Sequence, residues 1–328
     1  MGVKIAGTGS YIPERILTNA DLEQMVETSD EWIRTRTGIV ERHLAADDQT
    51  TSSLAYEACA RALAAAGVDG KDVNAIFVAT STPDYVFPST AAILQEKFAS
   101  AQCFCFDLSA ACCGFISAME VAFSLLAAQK KYRYALVCGA EKLSTIVDWS
   151  DRGTCVLFGD GAGAVLLENT GDDEDCLLAS DLNADGRYSD VLQIPASGSA
   201  MPLTHEILDQ HLHFIHMRGQ ETFKLAVNAM VDASRKVVEA AGKTIEKDVK
   251  LVIPHQANDR IIQAVAKRLE LREDQVICNI DRYGNTSAAS IPICLDEAVH
   301  TGRIKRGDLV LFTSFGSGLA WGAQLYRY

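Results

Sequence analysis

Two kinds of apolar pattern alternate along this 328-residue chain. Short, uninterrupted apolar runs, such as those at 75–79, 134–138 and 309–313, are typical of strands that are covered by helices on both faces of a sheet. Between them, apolar residues recur at helical spacing over longer segments. These helical patterns occupy residues 52–66, 90–98, 114–128, 221–241, 259–269 and 291–300. The alternation predicts an α/β fold with mixed sheets.

The second half of the chain repeats the pattern of the first. Three pairs of segments match in order and in separation: 72–80 with 248–255, 109–112 with 287–290, and 134–138 with 309–313. Each half also closes with an apolar hairpin strand, at 161–167 and at 319–326. The sequence therefore predicts two similar halves, residues 1–172 and 173–328, which divide in the acidic turn at 171–175.

Cys112 stands where an apolar strand leads into a helix of very small residues. A thiol at a helix N-terminus feels the positive end of the helix dipole and several free backbone N–H groups, which favours the nucleophilic thiolate. A Cys among Ala and Gly is, however, more often a small buried hydrophobe. The neighbouring Cys113 competes for the same assignment.

Two polar segments and one loop favour the nucleophilic alternative. His255 follows an apolar strand in the motif Pro-His-Gln-Ala-Asn, and Asn285 opens the motif Asn-Thr-Ser-Ala-Ala-Ser. One Cys, one His and one Asn, each at the tip of a predicted strand, make a candidate nucleophilic site. The loop formed by Gly316, Ser317 and Gly318 can aim backbone N–H groups at a developing oxyanion.

Together these motifs resemble the β-ketoacyl-acyl carrier protein synthase III family, the initiating condensing enzymes of type II fatty acid synthesis. The matching segments extend from the N-terminal region to the last few residues. The resemblance implies a thiolase-like αβαβα five-layered fold built from two similar halves with mixed five-stranded sheets. It also implies a homodimer that holds no permanent cofactor and uses acyl-CoA as a substrate.

The resemblance assigns a reaction to these residues. Acyl-CoA, with acetyl-CoA as the expected primer, would acylate Cys112, because a thiolate attacks thioesters readily and leaves readily. Malonyl-acyl carrier protein would then lose CO2, while His255 and Asn285 donate hydrogen bonds to its thioester oxygen. Attack on the acyl group would give 3-oxoacyl-acyl carrier protein. The family has a small apolar residue at the position of Cys113 and a glycine at that of Ser317.

The resemblance also implies a coenzyme A site. Trp32 and Arg152 would stack the adenine, and Arg36 and Thr28 would contact the nucleotide and its phosphates. Taken without the motif, Trp32 is an ordinary half-buried anchor and the two arginines are solvated charges. The pantetheine tunnel would be lined by Gly219, Phe223, Ala257 and Asn258.

Two further assignments concern partners. Phe87 would close the acyl pocket across a dimer interface and favour an acetyl-sized primer, although core packing explains a Phe there nearly as well. The net charge of the chain is −13, and acyl carrier proteins are acidic too, so docking needs a local basic patch. A solvated helix face is the alternative explanation of these charges. The patch would consist of Lys224, Arg260, Lys267 and Arg268.

Composition argues against several other classes of protein. The negative charge disfavours nucleic acid as a partner. The ten Cys residues form no C-x-x-C pair, and the cluster His211, His213 and His216 lacks matching ligands, so we predict free thiols, a solvated loop and no metal. The glycine-rich segment 158–163 precedes a strand rather than a helix, which disfavours a dinucleotide site. We expect no membrane helix and no signal peptide, and therefore a cytoplasmic enzyme.

Related functions stay open at this point. The same fold can serve an acyltransferase, or a quinolone- or polyketide-type synthase of specialised metabolism. A hydroxymethylglutaryl-CoA synthase would need a carboxylate near residues 79–81, where the sequence has none. A non-enzymatic acyl-binding protein would be expected to lack Cys112, His255 or Asn285. The chain length and branching of the primer are left open by the residues.

Overall fold

The computed structural model describes residues 2–171 and 175–328. The predicted division between the halves, at 172/173, lies outside the described residues and stays a prediction. The strands before it are β1 (Val3–Tyr11), β2 (Arg15–Thr18), β3 (Glu41–Leu44), β4 (Ala75–Ala79), β5 (Phe104–Leu108), β6 (Tyr134–Glu141) and β7 (Gly161–Asn169). The helices are α1 (Asn19–Leu22), α2 (Asp30–Thr37), α3 (Thr51–Ala66), α4 (Thr90–Lys97) and α5 (Gly114–Ala128).

The part of the chain after residue 174 has a similar series of elements. Its strands are β8 (Leu177–Ala184), β9 (Leu192–Gln193), β10 (His216–Met217), β11 (Val249–Pro254), β12 (Leu309–Gly316) and β13 (Ala320–Arg327). Its helices are α6 (His205–Asp209), α7 (Gly219–Ala240), α8 (Ile245–Asp248), α9 (Asp259–Arg268), α10 (Ile280–Tyr283) and α11 (Ser290–His300). All six helices predicted from apolar spacing are present, with ends within two residues of the prediction.

Two mixed sheets share one topology. The first has the strand order β1-β7-β6-β4-β5, and the second has the order β8-β13-β12-β11. In the first sheet, β7 pairs antiparallel with β1 and with β6, and β6 pairs parallel with β4. In the second sheet, β13 pairs antiparallel with β8 and with β12, and β12 pairs parallel with β11. This common order agrees with the repeat seen in the sequence.

The prediction of five strands in both sheets needs a correction. Where the first sheet continues to β5, the second has one parallel bridge between Val252 and Val276. Only residues 276–279 separate the 3₁₀ turn Glu273–Gln275 from α10, and this extended stretch is too short to form a full strand. The second sheet therefore has four strands among the described residues.

The sheets and helices form five layers. Helix α3 packs on β1, β6 and β7, and α4 packs on β4 and β5, on the outer face of the first sheet. Helices α5 and α11 lie between the two sheets and contact strands of both. On the outer face of the second sheet, α7 packs on β8, β12 and β13, and α9 packs on α7. This arrangement is the αβαβα fold that the resemblance implied.

One predicted repeat has the wrong register. The sequence match paired Cys112 with Ser290. The structure instead pairs the 3₁₀ turn Ala111–Cys113 with the turn Ser287–Ala289, since each directly precedes a central helix. The first residues of these turns, Ala111 and Ser287, have φ values of 45° and 49°. The position that corresponds to Cys112 is therefore Ala288, and one strained turn from each half meets at the centre of the molecule.

One segment corrects the prediction that no helix could span a membrane. Ala111–Ala128 has the length and the composition for a span, with a mean hydropathy of 1.8. It comprises α5 and the turn before it, and half of it is buried inside the protein. Its apolar character matches its place between the two sheets, where both faces meet apolar side chains.

Candidate active site

Cys112, His255 and Asn285 line one cavity of about 510 Å³. Cys112 lies in the turn before α5, His255 follows β11, and Asn285 precedes the turn at Ser287–Ala289. The three residues therefore converge, as the sequence predicted, but Asn285 follows α10 and not a strand. Cys112 also lines a second cavity of about 380 Å³, so the thiol stands between the two.

The Cys112 backbone is held by the end of β12. The Ser314 hydroxyl donates a hydrogen bond to the Cys112 carbonyl at 2.8 Å. A Cβ atom on Gly316 would lie 2.8 Å from the Cys112 nitrogen, so this close approach requires glycine. The rest of the predicted oxyanion loop, Ser317 and Gly318, lines the second cavity. Ser317 Oγ donates to the Leu192 carbonyl, and the side chain thereby anchors the loop.

The resting thiol of Cys112 is protonated. Burial raises its pKa to about 12, and the hydrogen bond from Ser287 Oγ to Sγ, 3.4 Å long, offsets this only in part. The buried Glu141 carboxylate raises the pKa further. The prediction of a thiolate was therefore wrong for the protein without substrate, because the loss of water around Sγ outweighs the stabilisation expected at a helix start.

Cys113 points away from both cavities. Its Sγ donates to the Ala320 carbonyl at 3.1 Å, and burial raises the pKa of the thiol further above its ordinary value. The two adjacent thiols thus differ in direction, and Cys112 is the one that faces open space.

His255 is buried and neutral. Burial lowers the pKa of its imidazole to about 3. Its Nδ1 lies 2.7 Å from Ser290 Oγ, which also accepts a hydrogen bond from the Gln256 backbone N–H at 3.3 Å. In the tautomer in which Ser290 donates to Nδ1, the neutral ring carries its own proton on Nε2. A neutral Nε2–H donor is what stabilisation of an enolate oxygen requires.

Asn285 is oriented by its neighbours on both sides. Its backbone N–H donates to the Leu157 carbonyl at 2.8 Å, and its carbonyl accepts from the Gly159 N–H at 3.1 Å. The side-chain Oδ1 accepts from the Ser287 N–H at 2.8 Å. With Oδ1 occupied, the Nδ2 amide group is left as a hydrogen-bond donor for the cavity.

The sequence prediction missed a buried carboxyl beside the thiol. Glu141, the last residue of β6, is fully buried, and burial raises its pKa to about 7. Its Oε2 accepts from the Ser81 N–H at 2.9 Å, so a carboxyl group does lie near residues 79–81. The expectation that none would be there failed because the group comes from a neighbouring strand. A Glu directly after the apolar run 135–140 was the available signal.

The predicted coenzyme A residues divide into those that line the large cavity and those that do not. Trp32, Arg36, Gly219, Phe223, Ala257 and Asn258 line it. Thr28 does not, and its buried Oγ1 has no hydrogen-bond partner among the described residues. Arg152 does not line it either; its guanidinium stacks on the Trp32 ring, 4.9 Å from the centroid. The space between the guanidinium and the ring is too narrow for an adenine base, because a base stacked between two groups needs about 7 Å between them.

Phe87 lies outside both cavities of its own chain. Its side chain is 84% exposed, and that of Val86 is 96% exposed. The role of Phe87 as part of an acyl pocket therefore stays a prediction that depends on a second copy of the chain. The second cavity is apolar at its far side, where Leu143, Ile146, Ile194 and Ile215 line it.

The predicted docking residues lie on α7 and α9. Lys224 and Arg260 line the large cavity, and the Arg260 guanidinium lies 5.9 Å from the centroid of the Phe223 ring. Arg268 donates to Asn228 Oδ1 at 2.5 Å, whereas Lys267 is exposed. Arg235, which the prediction did not include, donates to the Arg268 carbonyl and extends the patch.

The His211, His213 and His216 cluster is held by a carboxylate. His211 Nδ1 lies 2.6 Å from Asp148 Oδ2, and His216 Nε2 lies 3.3 Å from the His211 carbonyl oxygen. Within the described ranges, no group of three or more His, Cys, Asp or Glu side chains is placed to hold a metal ion. All ten Cys residues are free thiols.

Comparison with known proteins gives a consistent result over the whole chain. Residues 106–186 match the family model 3-oxoacyl-[acyl-carrier-protein] synthase III, and residues 238–328 match the model of its C-terminal part. A β-ketoacyl-[acyl-carrier-protein] synthase III of Caldanaerobacter subterraneus is 51% identical over 99% of this chain and 97% of that relative.

Solved structures resemble this chain over nearly its whole length. The crystal structure of 3-oxoacyl-[acyl-carrier-protein] synthase III from Aquifex aeolicus has a TM-score of 0.91 and 47% identity, and each chain is fully covered. The priming β-ketosynthase of the R1128 polyketide pathway has a TM-score of 0.90 and 31% identity, with 99% of this chain and 96% of that chain covered.

Proposed function

This chain belongs to the 3-oxoacyl-[acyl-carrier-protein] synthase III family, and we propose that it is the condensing enzyme that initiates fatty acid synthesis. Acyl-CoA, with acetyl-CoA as the expected primer, transfers its acyl group to Cys112. Malonyl-acyl carrier protein then loses CO2, and its enolate attacks the acyl thioester to give 3-oxoacyl-acyl carrier protein. The reaction needs no resident cofactor, because both acyl carriers are substrates.

The observation that carries this proposal is the placement of three groups on one cavity. A thiol at Cys112 provides the acyl acceptor, and two neutral donors, His255 Nε2–H and the Asn285 amide, are available for one oxygen. Neutral donors suit an enolate, since they stabilise its oxygen without protonating its carbon. Asn285 cannot act as a base, which argues against hydrolysis by proton abstraction.

Substrate access is supported by the residues around the large cavity. Trp32 and Arg36 from α2 lie on one side, and Lys224 and Arg260 lie on another. Coenzyme A and phosphopantetheine both carry phosphate, which Arg and Lys bind well. We propose that adenine displaces Arg152 from the Trp32 ring and takes its place there.

Dimer formation is supported by an exposed apolar surface. Strand β5 is an edge of the first sheet, and Phe104 on it is 46% exposed. Tyr85, Val86 and Phe87 add exposed apolar area nearby in the same half. A long unprotected edge strand is normally covered, and we propose that a second copy of the chain covers it. Light scattering of the purified chain tests this: Val86→Asp should shift a dimer mass toward the monomer.

The proposed reaction is tested by two linked measurements. Intact-mass spectrometry after incubation with a panel of acyl-CoAs should show one acyl increment, largest for the preferred primer. Malonyl-acyl carrier protein should then yield 3-oxoacyl-acyl carrier protein and CO2. A chain that takes no acyl group from any acyl-CoA would contradict the proposal.

A second candidate function is a priming synthase of specialised metabolism, favoured by the likeness to the R1128 ketosynthase. Comparison of malonyl-acyl carrier protein with malonyl-CoA as extender separates an initiating fatty acid synthase from quinolone-type or other CoA-dependent chemistry. We expect the carrier-bound extender to be strongly preferred.

A further inference from the structure

The two oxygens of the buried Glu141 carboxyl have different surroundings. Oε2 accepts hydrogen bonds from Ser81 N–H at 2.9 Å, from Thr82 Oγ1 at 2.9 Å and from Thr80 Oγ1 at 3.3 Å. Oε1 is buried and has no hydrogen-bond partner among the described residues. Three donors therefore fix the carboxyl through one oxygen and leave the other available.

The hydroxyl of Ser287 contacts the thiol and has the Glu141 carboxyl as a neighbour. Ser287 Oγ is 3.4 Å from Cys112 Sγ, and its side chain is close enough to Glu141 to help lower the pKa of the carboxyl. The negative charge of Glu141 in turn raises the pKa of the Cys112 thiol. To pass a proton from the thiol to the carboxyl, the Ser287 O–H bond must turn from Sγ toward the free Oε1 of Glu141, so that Oγ can accept the Sγ proton.

We propose that Ser287 and Glu141 form a proton relay that receives the Cys112 proton during acylation and returns it during condensation. Ser287 is the catalytic member, because it contacts Sγ. Glu141 is the terminal proton acceptor and acts through Ser287. This inference rests on the proposed function and adds to it the base that the thiol needs.

The protons and bonds balance over both half-reactions. In acylation, Sγ bonds to the acyl carbon, its proton moves to Ser287 Oγ, and the Ser287 proton moves to Glu141 Oε1. The bond from the acyl carbon to the CoA sulfur breaks, and CoA leaves as a thiolate that is protonated by water. In condensation, the bond from the malonyl carbon to its carboxylate breaks and CO2 leaves. The resulting enolate carbon bonds to the acyl carbon, the bond from that carbon to Sγ breaks, and Cys112 regains its proton from Glu141 through Ser287.

The resting pKa values agree with this geometry. Burial raises the pKa of Glu141 to about 7, so an ionised and a protonated form are both accessible near neutrality. Burial raises the pKa of Cys112 to about 12, so the thiol is protonated near neutrality. Proton transfer must therefore accompany attack on the thioester, as negative charge passes to the thioester oxygen.

Other charged groups near Glu141 are engaged elsewhere. The Lys142 ammonium donates to backbone carbonyls in the loop before α3, at 3.1 and 2.6 Å. Asp160 accepts from two backbone N–H groups and from a Ser hydroxyl. Glu168, on β7, lies at the far end of that sheet, where it pairs with β1 and with Arg133. Cys112 is thus the titratable group that faces Glu141 across the relay.

The test compares acylation and decarboxylation in one isosteric variant, Glu141→Gln. Acetyl-CoA is mixed with the full chain at pH values from about 5.5 to 8.5, and the acyl-enzyme is followed by quenched intact-mass spectrometry. The wild-type rate should rise about tenfold per pH unit and level off above about pH 7, where Glu141 is ionised. Glu141→Gln should acylate about 10²–10⁴-fold more slowly and show no levelling near pH 7. It should retain CO2 release from malonyl-acyl carrier protein, which needs His255 and Asn285 instead.

Two further variants make the result decisive. Ser287→Ala removes the hydroxyl that joins Cys112 to Glu141 and should reproduce the slow acylation. It tests the relay independently if Glu141→Gln does not fold. Glu120→Gln, in the middle of α5, where the carboxyl accepts from Gln324, should keep the wild-type rate and pH profile. Wild-type-like acylation in both relay variants would overturn the relay alone. Equal loss of acylation and decarboxylation in both would also overturn it, because that pattern indicates a structural role. A wild-type chain that is never acylated would overturn the proposed function itself.

Discussion

His255 Nδ1 and Ser290 Oγ lie 2.7 Å apart, and this contact decides what the imidazole can do in the cavity. Ser290 is the first residue of α11, and His255 follows the last residue of β11, so the contact joins two elements of the second half. When the Ser290 hydroxyl donates to Nδ1, the proton of the neutral ring is held on Nε2. The serine therefore positions the donor that the enolate needs.

We expect Ser290→Ala to slow decarboxylation of malonyl-acyl carrier protein by about 10- to 100-fold, the usual cost of losing a partner that orients a functional His. The KM should change little, since Ser290 contacts no substrate. Ser234 is a suitable control, because it is also a buried Ser. Unlike Ser290, its hydroxyl has no hydrogen-bond partner among the described residues. Ser234→Ala should leave CO2 release unchanged. A Ser290→Ala enzyme with normal CO2 release would contradict the positioning role.

The pH dependence of decarboxylation follows from the same residue. Burial lowers the pKa of His255 to about 3, so the ring stays neutral at every pH well above that value. We expect no change in the rate of CO2 release that is assignable to a titrating His between about pH 5 and 8. The measurement is CO2 release by the unacylated enzyme across that range. A rate that rises or falls through pH 6.5, the ordinary pKa of His, would show that His255 is exposed to water during the reaction.

The sequence predicted those parts of the site that lie on strand tips. Cys112 and His255 each follow an apolar strand, and parallel topology brings such tips to one region. Asn285 follows the short helix α10 instead, so its place in the site came from its motif and not from a strand. Glu141, Ser287 and Ser290 were not predicted to act, although each stands within or beside a quoted motif. Their roles depend on contacts between elements that are distant in the chain, such as Ser81 with Glu141, which no local pattern contains.

The protonation state of the thiol shows the same limit in energetic terms. A helix start predicted a thiolate at Cys112, and the helix does begin two residues later, at Gly114. A helix start lowers the pKa of a thiol, but the burial of Cys112 raises its pKa above the ordinary value. Desolvation depends on everything that packs around an atom, so it cannot be judged from the residues on one helix.

Acyl transfer should occur at Cys112 and not at Cys113. Cys112 Sγ faces the cavities, whereas Cys113 Sγ is directed at the Ala320 carbonyl. Cys112→Ala should abolish the acyl increment in the intact mass, and Cys113→Ala should keep it. Both variants remove one buried sulfur, so a difference between them reports position. The reverse pattern would transfer the nucleophile to Cys113.

Asn285 should be needed for decarboxylation but not for acylation. Loss of one oxyanion donor typically costs about 10²–10³-fold in rate. Asn285→Ala removes the donor together with the acceptor for the Ser287 N–H, whereas Asn285→Asp keeps that acceptor, loses the donor and adds a carboxyl group. Both variants should acylate at Cys112 and should lose CO2 release to a similar degree. Undiminished CO2 release in Asn285→Asp would exclude the amide as a donor.

The carrier protein should dock on the basic residues of α7 and α9. A chain with a net charge of −13 can attract an acidic carrier only through a local patch, and Arg260 and Lys224 line the cavity that leads to Cys112. Exposed ion pairs contribute about 0–1 kcal/mol each, so single changes should be mild and combined changes larger. Arg260→Glu with Lys267→Glu should raise the KM for malonyl-acyl carrier protein strongly, and more so at low salt, where screening is weak.

The control for this double variant reverses the same amount of charge elsewhere. Lys130 and Lys131 are exposed just after α5 and lie outside the cavities that Cys112 lines. Lys130→Glu with Lys131→Glu should change the KM far less, because it alters the net charge but not the patch. Acylation by acyl-CoA should change little in the Lys130→Glu, Lys131→Glu variant. In the α9 variant it should fall less than the carrier-dependent step, since coenzyme A also has Trp32 and Arg36 on its side of the cavity. If the α9 variant loses both half-reactions equally, the helix has a structural role and the carrier docks on another surface.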